Sequence, residues 1–325
     1  MLEKELKWDA KMLSMFGQNG AVFGWALPQI HDVYPAKILT SDMAAGAGLA
    51  RFKSLYPADF YDVGIAEQNL LGMTAGLCSE GCKCVAEAQA CFLSMRGFEQ
   101  VRQYFGYMGL PAILVGINGG FALTYFGNSH YALEDLALMR TVPGMMVLSP
   151  ADAGEAVKAF IAALKADIPV YLRLSGLPNL PVVYADDFDY EPGKITLLYD
   201  SGSDYVLFAT GTMVYPCLRV AEQLAGENRF GKVVDVHTIK PLDRERILDV
   251  SRDAKVVFSV EEHFVTGGLG SAVSEVLAGE GKMPALVRLG VKDGFSAVGD
   301  YHYLLEQHGL TQEGILSSVR THLGL

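Results

Sequence analysis

The side chains with which chemistry could begin are few: Glu67 at the opening of an apolar stretch, His130 ahead of another, and four of the five cysteines crowded between residues 78 and 91. Closely spaced thiolates can hold a soft metal. Here Cys78, Cys82, Cys84 and Cys91 form no CxxC pair and have no histidine beside them, so thiols buried in a core are expected rather than a ligand set. The turn Thr266–Gly267–Gly268–Leu269–Gly270 offers backbone N–H groups as phosphate loops do. It lacks the GxGxxG spacing and the lysine of such loops, and reads as a tight turn into a helix. Taken alone, Glu67 is a carboxylate facing the positive end of a helix dipole, and a lone His130 is either a satisfied structural imidazole or an acid–base group. Arg96 and Arg173 read equally as anion contacts or as structural ion-pair partners.

Positioning such groups requires a scaffold, and its elements are legible. AKILTSD (36–42) is a short apolar run ending in polar residues, PAILVGING (111–119) a continuous apolar run as strands covered on both faces are, and PVYLRLS (169–175) reads as another strand. Between them, GIAEQNLLGMTAGLCSEG (64–81) reads as a helix, and PADAGEAVKAFIAALKAD (150–167) as a helix opened by Pro150 and capped near Asp152. A segment with three prolines and four acids, LPNLPVVYADDFDYEPGK (177–194), separates two halves. The second half continues the alternation with DYVLFATG, PCLRVAEQLAGE, KVVDVHT, AKVVFSVEE, SAVSEVLAGE and ALVRLGV. The fold class expected is α/β, two doubly wound parallel-sheet domains, with boundaries at 1–185 and 186–325.

A chain of 325 residues, 50% hydrophobic and 19% charged, has the material for two cores. No apolar run approaches the roughly 20 residues of a membrane-spanning helix. The N-terminal MLEKELKWDAKML has no apolar core of a secretory signal, so a cytoplasmic location is expected. A net charge of −11 repels nucleic acid and anionic lipid, so neither nucleic acid nor membrane is expected as a partner.

Two stretches of the first half, DVGIAEQNLLGMTAGLCSEG (62–81) and HYALEDLALMRTVPGMMVLSPAD (130–152), resemble the pyrimidine-binding domain of transketolases and related thiamine-diphosphate enzymes. In the second half ATGTMVYPCLRVAEQL, VDVHTIKPLD and SVEEHFVTGGLGSAVSE resemble the transketolase C-terminal domain. The resemblance runs from about residue 15 to 320 in the family's order. Family members hold the cofactor diphosphate and a divalent metal through a Gly-Asp-Gly motif in a separate N-terminal domain, and this sequence contains no Gly-Asp-Gly. The resemblance therefore implies the C-terminal subunit of a split transketolase, which transfers a two-carbon ketol unit between a ketose and an aldehyde. A partner polypeptide would supply the diphosphate domain with its Mg2+ or Ca2+, and this chain would pair as a homodimer within an α2β2 complex. The β subunit of a 2-oxo acid dehydrogenase and a non-catalytic paralogue stay open as alternatives.

Residue by residue, the resemblance implies that Glu67, in Gly64–Ile65–Ala66–Glu67–Gln68–Asn69, hydrogen-bonds the cofactor's pyrimidine nitrogen so that the amino group can act as a base. It implies that Phe92 supplies an aromatic face for the ring, and that Asp42 and Met43 border the cofactor. His130, preceded by Ser129, would hydrogen-bond the substrate oxygen or pass it a proton, and Arg96 and Arg173 stand as substrate anion contacts. His263 matches a loop of related split subunits. The places of the family's phosphate-gripping residues hold Asn19, Gly46 and Ser175 or Gly176, and an acidic residue four before the histidine is replaced by Phe126. These departures point away from a standard phosphosugar.

Overall fold

The computed structural model describes Leu6 and residues 8–325. In the first half the apolar runs become β1 (Lys37–Thr40), β2 (Phe60–Asp62), β3 (Cys84–Gln89), β4 (Ala112–Ile117), β5 (Met146–Leu148) and β6 (Val170–Arg173). They pair in parallel in the order β5-β6-β4-β3-β1-β2. Both faces are covered, and successive residues of each strand serve opposite faces. Leu39, Ala86 and Leu114 pack with Leu70 and Leu71 of the helix Glu67–Ser79. Their sequence neighbours Ile38, Val85 and Ile113 pack with Leu13, Phe23 and Phe160 on the other side. This period of two, with both sets buried, is why the runs read as unbroken apolar sequence.

The second half builds a sheet of order β12-β11-β8-β9-β7 from β7 (Thr196–Asp200), β8 (Tyr205–Ala209), β9 (Gly231–Asp235), β11 (Val256–Phe264) and β12 (Ala285–Val291). Two features correct the all-parallel expectation. Edge strand β7 runs antiparallel to β9. KVVDVHT, expected as one strand, instead divides: β9 ends at Asp235, and β10 (Thr238–Lys240) crosses to the other sheet, where it pairs antiparallel with β5. The two domains are thus α/β with mostly parallel sheets. Their junction is apolar too, since Val206, Phe208 and Val234 of the second half belong to the same buried cluster as Leu114 and Met139 of the first.

The connecting segment runs as loop and is pinned by one carboxylate. Asp152 caps the helix Ala153–Lys165 by accepting from the Glu155 N–H, and its other oxygen accepts from the N–H groups of Val183 and Tyr184. The Tyr184 hydroxyl in turn donates to Asp235 at the end of β9. Cys78, Cys84, Cys91 and Cys217 are buried free thiols and Cys82 is half-buried, as the sequence leads one to expect. Among the described residues, no helix is long and apolar enough to cross a membrane.

Candidate active site

Glu67, Phe92, Arg96, Ser129 and His130 come from distant parts of the chain, yet all follow the carboxyl ends of parallel strands of one sheet. Glu67 follows β2, Phe92 and Arg96 follow β3, and Ser129 and His130 follow β4. In an open parallel sheet this is where the chain leaves room for a ligand. The loop carrying Glu67 is fixed before the helix begins. Gly64 takes φ +72°, which only glycine adopts at low cost, and Asp62 Oδ1 accepts from the N–H groups of Gly64 and Asp42, each at 3.1 Å. Ser41 Oγ donates to the Gly64 carbonyl at 2.8 Å and accepts from the Ala66 N–H at 3.0 Å. Asp42 and Met43 are thereby tied to the loop that presents Glu67.

The Glu67 side chain is 3% exposed, and Arg96 Nη1 donates to its Oε2 at 2.7 Å. The Arg96 guanidinium lies 4.2 Å from the centre of the Phe92 ring. That ring meets His130 edge-to-face at 5.1 Å, and the His130 ring is 4.9 Å from Phe126. Ser129 Oγ and His130 Nδ1 are 2.9 Å apart, which leaves Nε2 free to face a ligand. A carboxylate, an aromatic face and an imidazole therefore stand in one continuous series, and Phe126 forms its exposed rim.

Beneath the site lies a carboxyl that sequence reasoning missed. Glu87, in the middle of β3, is fully buried; Thr40 Oγ1 donates to its Oε2 at 2.5 Å, and Oε1 has no partner among the described residues. Burial pushes its pKa up to about 8, so it is a neutral acid at pH 7. Thr40 Oγ1 also accepts from the Met43 N–H, and Gln89 approaches the Met43 sulfur at 3.6 Å. Polar residues inside a strand that otherwise reads as core were the available signal.

Arg173 does not join this group. Its Nε pairs with buried Asp135 at 2.9 Å, and Nη2 donates to the carbonyls of Ala132 and Glu262, both at 2.9 Å. It knits β6 to the second domain. His263 is also structural in its contacts: fully buried, it donates through Nδ1 to the Phe264 carbonyl and accepts the Ala137 N–H at Nε2. Burial lowers its pKa to about 4, so the ring is neutral. The turn at Thr266–Gly270 takes no external anion, because Glu261 accepts the N–H groups of Leu269 and Gly270.

At the ends of β4 and β6, Asn19 and Gly176 come together with Asn118. A Cβ at Gly176 would collide with Asn118 Oδ1 and reach 3.1 Å from Asn19 Nδ2. Gly46 faces Met43 instead. The Asn19–Asn118–Gly176 group carries no formal charge.

Comparison with known proteins gives the same arrangement a lineage. Residues 20–177 match the family model described as the transketolase pyrimidine-binding domain, and residues 193–315 match the transketolase C-terminal domain. The chain is 38% identical to a 6-deoxy-6-sulfo-D-fructose transketolase subunit from Clostridium sp., over 86% of this chain and 85% of that one. It is 34% identical to one subunit of the apulose-4-phosphate transketolase from Phocaeicola vulgatus, over 85% of this chain and 88% of that one. Among solved structures it is similar to a split-gene transketolase described as an inactive beta4 tetramer. The TM-score is 0.84 at 36% identity, covering 94% of this chain and 98% of the other.

Proposed function

Because the chain belongs to the transketolase family, we propose that it is the C-terminal subunit of a two-polypeptide transketolase, which moves a two-carbon ketol unit from a ketose to an aldehyde with thiamine diphosphate. The observation that carries this reading is Glu67. Its buried carboxylate has Oε2 engaged and no hydrogen bond to Oε1 among the described residues, and the Phe92 ring and His130 stand in series beyond it. These groups fit the aminopyrimidine half of the cofactor: a carboxylate for the ring nitrogen, an aromatic face, and an imidazole beyond. When bound, thiamine diphosphate supplies a thiazolium carbon that becomes the nucleophile once its proton is lost.

In this reading the Glu67 carboxylate hydrogen-bonds the pyrimidine nitrogen through Oε1. Phe92 orients the ring, and Asp42 and Met43 border it. His130, with Nδ1 taken up by Ser129, uses Nε2 to hydrogen-bond the substrate oxygen and to deliver or remove its proton. The diphosphate and a divalent metal, Mg2+ or Ca2+, belong to the partner subunit, in a complex of two copies of each chain. The pyrimidine-binding part spans 1–185 and the C-terminal part 186–325. Arg173 is spent on Asp135, and the Asn19, Gly46 and Gly176 positions carry no charge, which favours substrates other than standard phosphosugars.

The test is a reconstituted complex with its partner chain, assayed with hydroxypyruvate, pyruvate and branched 2-oxo acids as donors. Ketol transfer from hydroxypyruvate supports the reading, and decarboxylating transfer from pyruvate or a branched 2-oxo acid in its place overturns it. For the acceptor, kcat/KM for a phosphosugar and its dephosphorylated analogue should be similar. Each missing charge-assisted contact to phosphate is worth roughly tenfold to a hundredfold. A preference of about a hundredfold or more for the phosphosugar would mean that the grip has another source.

A further inference from the structure

Among the described residues, Arg96 is the only partner of the Glu67 carboxylate, and it takes one oxygen only. The two side chains differ sharply in exposure: 3% for Glu67 and 45% for Arg96. The acid is thus set into the floor and the guanidinium reaches in from the rim. The same guanidinium lies against Phe92, and the Arg96 carbonyl accepts from Gln68 Nε2 at 3.2 Å. The residue that follows Glu67 in the chain therefore fastens the backbone of the residue that fastens Glu67.

A carboxylate's terminal torsion is broad, and one anchored oxygen removes most of that freedom. A planar guanidinium can donate along its edge while stacking through its face, which an ammonium cannot do. We propose that Arg96 is a positioning residue of this site. It holds Glu67 by Oε2 so that Oε1 stays presented to the cofactor's ring nitrogen, it holds the Phe92 ring by its face, and it does not contact a substrate anion. The proposal rests on the functional reading above and adds a residue that acts through Glu67 rather than beside it.

The experiment is a double-mutant cycle in the assembled two-subunit complex with Arg96→Met, Glu67→Gln and the pair together. Two quantities are read: thiamine diphosphate affinity by calorimetry, and hydrogen–deuterium exchange at the thiazolium carbon. Arg96→Met should weaken affinity by about tenfold and slow exchange by about ten- to a hundredfold, the range of one charge-assisted contact. In the Glu67→Gln background the same change should add much less, because the charge that Arg96 pairs with is already gone and only a neutral amide remains for it to hold. Arg96→Lys keeps the bond to Glu67 and loses the stack, so it should recover most of the exchange rate and guards against a folding defect in the methionine variant. The substrate KM should not move.

Additive effects in the cycle, or a raised substrate KM with affinity and exchange intact, would overturn the assignment while leaving the ketol-transfer reading standing. A wild-type complex that neither binds the cofactor nor exchanges would overturn that reading, and this assignment with it.

Discussion

Replacing Glu87 by glutamine should change how the protein's stability responds to pH, and by an amount the structure fixes. Glu87 is fully buried, and its pKa is raised from the ordinary 4.5 to about 8. In the folded chain the proton is held more tightly than in the unfolded one, so the group's full contribution is present below pH 4.5 and is lost as pH rises through 8. The interval corresponds to roughly 5 kcal/mol of folding free energy. Of this, about 2.5 kcal/mol is lost between pH 5 and 7, and about 1.4 kcal/mol between pH 7 and 10. Glutamine has nearly the same shape, can still accept from Thr40, and does not ionise. Asp235 and Glu261 are also buried and raised to about 7, but they titrate in both proteins and cancel in the comparison. Urea unfolding of wild type and Glu87→Gln across pH 5 to 10 should give a difference that grows by about 4 kcal/mol in the variant's favour. Parallel curves would refute the reasoning and place the proton elsewhere.

Arg173→Met leaves Asp135 buried without its cation and should cost about 3–5 kcal/mol in urea unfolding; a stable variant with a raised substrate KM would instead restore a substrate role. His130→Ala in the assembled complex should lower kcat by about a hundredfold or more while cofactor affinity measured by calorimetry stays the same. The isolated chain should bind thiamine diphosphate more weakly than a Kd of about a micromolar in calorimetry. It should also scatter light as a dimer or larger; micromolar or tighter binding would count against the split-subunit arrangement, and a strict monomer against homodimerisation of this chain but not against its pairing with a second one.

Much of this was legible in the sequence because the physics was local. β4 and β6 are covered on both faces, so apart from Arg173, which is paired with Asp135, their residues are apolar or small, and the runs PAILVGING and PVYLRLS announced them. The helix Glu67–Ser79 declared itself by its apolar content and its start at GIAEQ, and Glu67 and His130 were legible through a family motif rather than through periodicity. β3 was hidden by its own chemistry, since Glu87 and Gln89 interrupt an otherwise apolar strand, and only the tertiary fold shows that the interruption is buried. Arg96 and Arg173 were indistinguishable as sequence. One reaches Glu67, 29 residues back across β3, and the other Asp135, 38 residues back, and nothing near either residue encodes that difference. KVVDVHT misled for a related reason: a valine-rich run specifies strand but not which sheet it joins.

The passage of Thr238–Lys240 into the first sheet has a practical consequence for anyone cutting or recombining this molecule. The proline-rich segment at 177–194 looks like a natural place to divide the chain into portable modules. Division there would strip β5 of the strand that covers its edge and leave a bare row of backbone donors and acceptors, which is an invitation to aggregate. The remaining fragment would keep β10 with nothing to pair to, and Lys240, whose ammonium caps the carbonyls of Arg140 and Val142, would lose both acceptors. A chimera that exchanges the C-terminal half must therefore carry a compatible β10 for the recipient's sheet, so the heritable unit is the interlocked pair rather than either half.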